Sequence, residues 1–288
     1  MKHVKKTALF SWIVVLLVVS VASLISCRGV REEKIATVAS ADGSSIAYGV
    51  RGKGEKTIVF VHCWTCNQEF WRPQIEHFSG NYRVVWLDLA GHGLSDSNRQ
   101  EYTMAAFGED VAAVVTEIGA ENVVLVGHSM GGPVAIEAAK LLGEKVIGIV
   151  GVDTFYTSFE YPKSQKDIEG FVKPFKDDFK GTSTKMVESM FTPEADPDVK
   201  AAIVKQMSAA DQDMAVSAMY EIFSWKAQNG PAGLAKYADK LRNINAAPTG
   251  KETALHESVI LVPGVGHFIP QVKPDEFNEV LEKVIVGF

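Results

Sequence analysis

Apolar runs and their interruptions divide the chain into a series of short strands and helices. Ile35–Val38 and Ser45–Val50 flank the turn cluster Ala41-Asp42-Gly43-Ser44 and read as an antiparallel hairpin. Lys56–His62 and Tyr82–Leu87 are continuous apolar runs, the pattern of strands buried on both faces. Tyr102–Ile118 places Phe107, Val111, Val114, Val115 and Ile118 at helical spacing, and Gly119 ends it. Val123–Val126 predicts a strand, Pro133–Leu142 a helix and Val146–Val152 another strand. From Thr154 to about Gly233 the pattern is amphipathic and helical, broken by Pro162, Pro174, Pro193, Pro197 and Pro231, with no strand run. Asn243–Thr249 makes a poor buried strand; Ser258–Val262 is a clear one, and Pro274–Val286 a closing helix.

The first 27 residues stand apart from this pattern. Lys2, Lys5 and Lys6 precede an uncharged stretch, Thr7–Ser26, which suits an export signal and is nearly long enough to span a bilayer. Leu24-Ile25-Ser26-Cys27 resembles the lipobox of bacterial lipoproteins. That resemblance implies removal of the signal, a lipid on Cys27 and a place in the bacterial cell envelope, facing the periplasm or exterior; the alternative is an uncleaved anchor. Residues 28–34 then form a short charged tether. The 288-residue chain carries a net charge of −6 with no basic block beyond its first six residues. It has no electrostatic footprint for nucleic acid, and its body does not favour anionic lipid.

Chemistry enters at Gly127-His128-Ser129-Met130-Gly131. Gly-x-Ser-x-Gly between a strand and a helix is the pattern of a nucleophile elbow, which nominates Ser129. His62-Cys63-Trp64, Asp88-Leu89-Ala90-Gly91-His92-Gly93-Leu94-Ser95 and Gly264-Val265-Gly266-His267-Phe268 follow runs that read as strands. In this order they resemble the α/β-hydrolase family. The resemblance implies an α/β fold, a mostly parallel sheet flanked by helices with a helical lid inserted before the last strands. Its core would be residues 35–153 and 234–288, and its lid 154–233. The same resemblance implies His267 as general base, an oxyanion hole built from the Cys63 or Trp64 amide and that of Met130, and loop-organising roles for Asp88 and His92. Cys63 departs from it, since the family usually has glycine there.

The acid of such a triad is the hardest member to place. The family usually takes it from the strand before the histidine strand, and 239–257 has no apolar run ending in Asp. Some members take it from the strand before the lid, where Asp153 stands; Asp239, Glu252 and Glu257 are the other candidates. Cys63-x-x-Cys66 admits core packing, a structural disulfide, a redox pair or, with His62, a weak metal site, although no second ligand pair at zinc spacing occurs. The expected function is hydrolysis of a small-molecule carboxylic ester or related acyl compound, with no cofactor and no metal. A non-catalytic envelope binding protein and a thiol-disulfide protein are the alternatives.

Overall fold

The computed structural model describes residues 34–248, 250 and 253–288. The signal, Cys27 and most of the tether lie outside the described residues, as does Glu252. No helix among the described residues is long and apolar enough to cross a membrane.

An eight-stranded sheet organises the chain in the order β1-β2-β4-β3-β5-β6-β7-β8. The strands are β1 (Ala36–Ala39), β2 (Ser45–Arg51), β3 (Thr57–Val61), β4 (Arg83–Leu87), β5 (Val123–His128), β6 (Val146–Val152), β7 (Leu241–Ala247) and β8 (Val259–Pro263). β1 and β2 pair antiparallel, β2 runs antiparallel to β4, and every later pairing is parallel. Parallel strands need long crossover connections, usually helical. Helices α1 (Arg72–Phe78), α2 (Met104–Glu117) and α3 (Gly131–Leu142) supply the early ones. Between β6 and β7 lies the expected helical insertion: α4 (Gln165–Asp177), α5 (Phe179–Glu188), α6 (Pro197–Met207), α7 (Gln212–Gln228) and α8 (Gly230–Lys236). The short α9 (Ile269–Val272) and α10 (Pro274–Val286) close the chain.

Alternation along the buried strands gives the sheet two apolar faces. Val59, Val61, Leu87 and Leu125 pack with α2, α3 and the insertion; Ile58, Phe60, Trp86 and Val126 pack toward α1 and α10. Most aromatic and methionine side chains of the insertion belong to the first of these cores, among them Phe175, Met214, Phe223 and Trp225. Phe159 is the exception, at 50% exposure.

β7 corrects the sequence expectation. The segment 243–249, which reads as a poor buried strand, supplies most of a seven-residue strand seated between β6 and β8. The Nδ2 groups of its buried asparagines find acceptors across the fold: Asn243 Nδ2 donates to Ser258 Oγ at 2.8 Å and Asn245 Nδ2 to the Phe155 carbonyl at 2.8 Å. A hydrogen-bonded polar side chain can occupy a buried strand, so hydrophobicity alone understates β7. Its link to β8 contains no helix among the described residues.

Two features fix the carboxyl edge of the sheet. The start of α3 crosses β3 so closely that a Cβ on Gly131 would collide with the Val61 carbonyl, and one on Gly127 with the Gly131 carbonyl. The loop after β4 is tied down by buried polar groups, as expected for Asp88 and His92. Asp88 accepts from the Gln68 amide (2.7 Å), Gln68 Nε2 (2.9 Å) and the Leu94 amide (2.8 Å). His62 Nδ1–H donates to the Cys63 carbonyl while Nε2 accepts from the Leu89 amide at 3.0 Å. His92 Nδ1–H faces the Ala90 carbonyl at 3.1 Å. Burial holds these imidazoles neutral: it depresses His62 well below the usual histidine range and His92 to about 4.

Gly131→Ala is therefore expected to lower the unfolding free energy by about 3 kcal/mol or more, because backbone must move. Gly170→Ala, exposed in α4 with nothing within 4 Å of the new Cβ, should raise it by about 0.5–1 kcal/mol. Denaturant melts of the two variants measure the contrast, and equal effects would contradict the close crossing.

The neutral histidines also set a pH dependence. Their folded pKa lies below the unfolded value near 6.5, so the folded state binds fewer protons. This stabilisation is complete above about pH 6.5 and declines as pH falls toward about 4 for His92, with a slope of about 1.4 kcal/mol per pH unit for each histidine. Unfolding free energies measured from pH 7.5 to 4.5 should show a shallower slope in His92→Gln than in the unaltered chain.

Candidate active site

Ser129 stands at the β5–α3 elbow with φ of 53°, a left-handed conformation that a non-glycine residue adopts only when its surroundings impose it. The imposition is visible. Gly127 and Gly131 leave no room for side chains on either side, and the Ser129 amide donates to the Val152 carbonyl at the end of β6 (2.9 Å). Met130 follows in right-handed helical geometry as the cap of α3. The contact of Gly131 with Val61 and His62 sets the elbow against the end of β3, where Cys63 and Trp64 begin the next loop.

Cys63 and Cys66 form a disulfide across that loop, closed further by the Cys66 amide donating to the Cys63 carbonyl. The residue with positive φ here is Thr65, at 54°, so Cys63 occupies the family's usual glycine position without a left-handed backbone. With Cys63 at 1% and Cys66 at 2% exposure, the disulfide is sealed in the core, away from any exchanging thiol. Trp64 reaches into the insertion, where its indole N–H donates to the Ala215 carbonyl at 2.8 Å and its ring meets the edges of Phe175 and Phe179. Among the described residues, no group of three or more His, Cys, Asp or Glu side chains is arranged to hold a metal ion.

His267 follows β8 in a loop that turns at Gly264 (φ 67°) and enters α9. Its Nδ1 lies 2.6 Å from Asp153 Oδ2. Asp153, next after β6, is itself left-handed (φ 45°); its amide donates to the Ile244 carbonyl (2.9 Å), and its Oδ1 accepts from the Ala246 amide (2.9 Å). Burial would raise this carboxyl, but the hydrogen bond and charge of His267, with the Ala246 amide, outweigh it and hold Asp153 below the usual carboxylate range. With Nδ1–H committed to Asp153, the Nε2 of a neutral His267 is left as the acceptor. Asp239 and Glu257 are exposed.

Ser129 joins this pair through the backbone: its amide bonds Val152, the neighbour of Asp153, and His128 Nε2–H donates to the His267 carbonyl at 2.9 Å. Among the described residues, no hydrogen bond links the Ser129 hydroxyl to His267. Catalytic hydrogen bonds are often open before substrate arrives. Burial lowers His128 to about 3, so it stays a neutral donor.

Three contacts around the pair are absent from the sequence reading. The lid carbonyl of Met190 accepts from the His267 amide at 2.9 Å, and a side chain at Gly266 would strike the same carbonyl. Lys226 of α7 donates to the Thr154 carbonyl at 2.7 Å, its Nζ 4.1 Å from the Tyr161 ring centre. Asn245 of β7 binds the Phe155 and Tyr156 carbonyls. Burial lowers the Lys226 ammonium to about 7 against the pull of Asp153, and raises Tyr161 to about 12. The trace of Lys226 in the sequence is a lone cation beside the apolar Ile222, Phe223 and Trp225. A cleft of about 2070 Å³ opens beside these groups, lined in part by Phe155, Tyr161, Trp225, Lys226 and Arg242; Ser129 and His267 do not line it.

A profile described as the alpha/beta hydrolase family matches residues 58–280. A dihydrolipoyllysine-residue acetyltransferase component of an acetoin cleaving system from Cupriavidus necator is 27% identical over 271 residues, 86% of this chain and 68% of that protein. A pimeloyl-[acyl-carrier protein] methyl ester esterase from Aliivibrio salmonicida is 30% identical over 164 residues, 54% of this chain but only 60% of its own length. Among solved structures, a thermophilic esterase from Thermogutta terrifontis superposes with a TM-score of 0.74 at 19% identity, covering 88% of this chain and 98% of that one. The profile takes in the elbow, the Asp153 turn and the His267 loop: the chain belongs to the alpha/beta hydrolase family.

Proposed function

We propose that this chain is a serine hydrolase of carboxylic esters or related acyl compounds. The observation that carries the reading is the 2.6 Å contact between Asp153 Oδ2 and His267 Nδ1, beside an elbow that holds Ser129 left-handed. In this reading Ser129 Oγ attacks the acyl carbonyl while His267 Nε2 takes its proton. Asp153 stays ionised, fixing the tautomer and stabilising the imidazolium. The amides of Met130 and of Cys63 or Trp64 hold the oxyanion. His267 returns the proton to the leaving alcohol. A water deprotonated by His267 then cleaves the acyl-enzyme and regenerates Ser129. No cofactor takes part. The A. salmonicida relative, named as a methyl ester esterase, supports an ester as the substrate class.

Short p-nitrophenyl esters, offered to the full chain and to Ser129→Ala, test this directly. The variant should lose roughly 10⁴-fold or more in kcat, and a fluorophosphonate should label the unaltered chain but not the variant. Asp153→Asn should lose about 10⁴-fold, with KM little changed. Equal turnover by the unaltered chain and Ser129→Ala would overturn the nucleophile assignment. Absence of both turnover and phosphonate labelling would favour a binding protein on a hydrolase fold.

The same reading places the enzyme on the cell envelope through a lipid on Cys27, supported by Leu24-Ile25-Ser26-Cys27 alone. Bacteria expressing the chain and fed labelled palmitate should incorporate label into it, and Cys27→Ser should abolish incorporation. Label persisting in Cys27→Ser would remove Cys27 from the proposal.

A further inference from the structure

The turn that carries Asp153 is gripped by groups for which the proposed chemistry has no use. Asp153 and Tyr156 are both left-handed, with φ of 45° and 54°. Backbone of this kind persists only where its surroundings over-determine it. Here three successive carbonyls are each occupied. Lys226 Nζ donates to Thr154 O at 2.7 Å, and Asn245 Nδ2 donates to Phe155 O at 2.8 Å and to Tyr156 O at 3.3 Å. The Tyr156 ring is in turn stacked on His256, with ring centres 4.1 Å apart and planes 8° from parallel.

The donors come from different parts of the fold. Asn245 precedes Ala246, whose amide holds Asp153 Oδ1, so β7 grips the carboxylate by its backbone and the following turn by a side chain. Asn245 is only 3% exposed, and its Oδ1 has no hydrogen-bond partner among the described residues. Leaving a buried amide oxygen unpaired is costly, and an apolar residue of like size would remove the cost. What such a residue lacks is the Nδ2 donor. Lys226 reaches the same turn from the lid helix α7, its head between the Thr154 carbonyl and the Tyr161 face.

We propose that Asn245 and Lys226 are positioning residues that clamp the Thr154–Tyr156 backbone and thereby hold the Asp153 carboxylate on His267. The proposal rests on the serine-hydrolase reading, and a double-mutant cycle on the full chain separates the two. Asn245→Leu should lower kcat for a p-nitrophenyl ester roughly 10- to 100-fold, as expected when a reacting group is displaced by a fraction of an ångström, with KM within about twofold. In an Asp153→Asn background the same substitution should change kcat less than about twofold, because the interaction it protects is already gone. Lys226→Met keeps the aliphatic stem and removes the donors; run through the same cycle, it should show the same loss of effect. It decides the matter if Asn245→Leu does not fold. Equal losses in both backgrounds, or no loss beside an intact Asp153, would overturn the clamp. An Asp153→Asn variant with full activity would instead overturn the triad on which the clamp depends.

Discussion

The hydrogen bond between Asp153 and His267 is the constraint to which the carboxyl edge of the sheet answers. Its partners come from the end of β6 and the loop after β8, with β7 between them. Such a span can be bridged only if both backbones are turned toward each other and kept there. β7 contributes the Ile244 carbonyl and the Ala246 amide to Asp153, and the ends of β5 and β6 meet where Ser129 donates to Val152. The pair then protects its own ionisation state. A carboxylate as enclosed as Asp153 would ordinarily be driven toward protonation, and its donors reverse that tendency.

Strain is concentrated around the same place. Thr65, Ser129, Asp153 and Tyr156 are four of the five non-glycine residues with positive φ among the described residues. They stand after β3, at the β5 elbow and in the turn after β6. Each strand delivers its residue at the sheet edge, and the sharp backbone turn there lifts a side chain or an amide out of the sheet plane. Such conformations require a rigid base, which the wholly buried strands β3 and β5 supply.

Much of this was legible in the sequence because it is written in periodicity and in glycine. β3, β5 and β6 are continuous apolar runs, and Gly127 and Gly131 announce an approach too close for side chains. Asp153 and His267, nominated through the resemblance to the α/β-hydrolase family, lie within hydrogen-bonding distance. β7 was hidden because Asn243 and Asn245 break its apolar pattern, and their partners, Ser258 and the Phe155 carbonyl, are distant in sequence. The state of Cys63 and Cys66 could not be read either. Their spacing permits a disulfide, a packed thiol pair or a redox site, and only the fold shows the pair bonded and buried. Lys226 illustrates a more general limit: a lysine in an amphipathic helix reads as solvent-facing until the fold supplies a carbonyl and an aromatic face to receive it.

The bond from the His267 amide to the Met190 carbonyl has a consequence for how such a protein can diverge. A main-chain carbonyl is common to every amino acid, so the contact demands a path of the chain and not a particular residue at position 190. Substitutions can accumulate across the insertion, reshaping whatever it encloses, while the seat of the histidine is inherited unchanged. Length is less forgiving than identity: an insertion or deletion between α5 and α6 would shift that carbonyl and unseat the imidazole. Drift in this region should therefore be rich in replacements and poor in gaps.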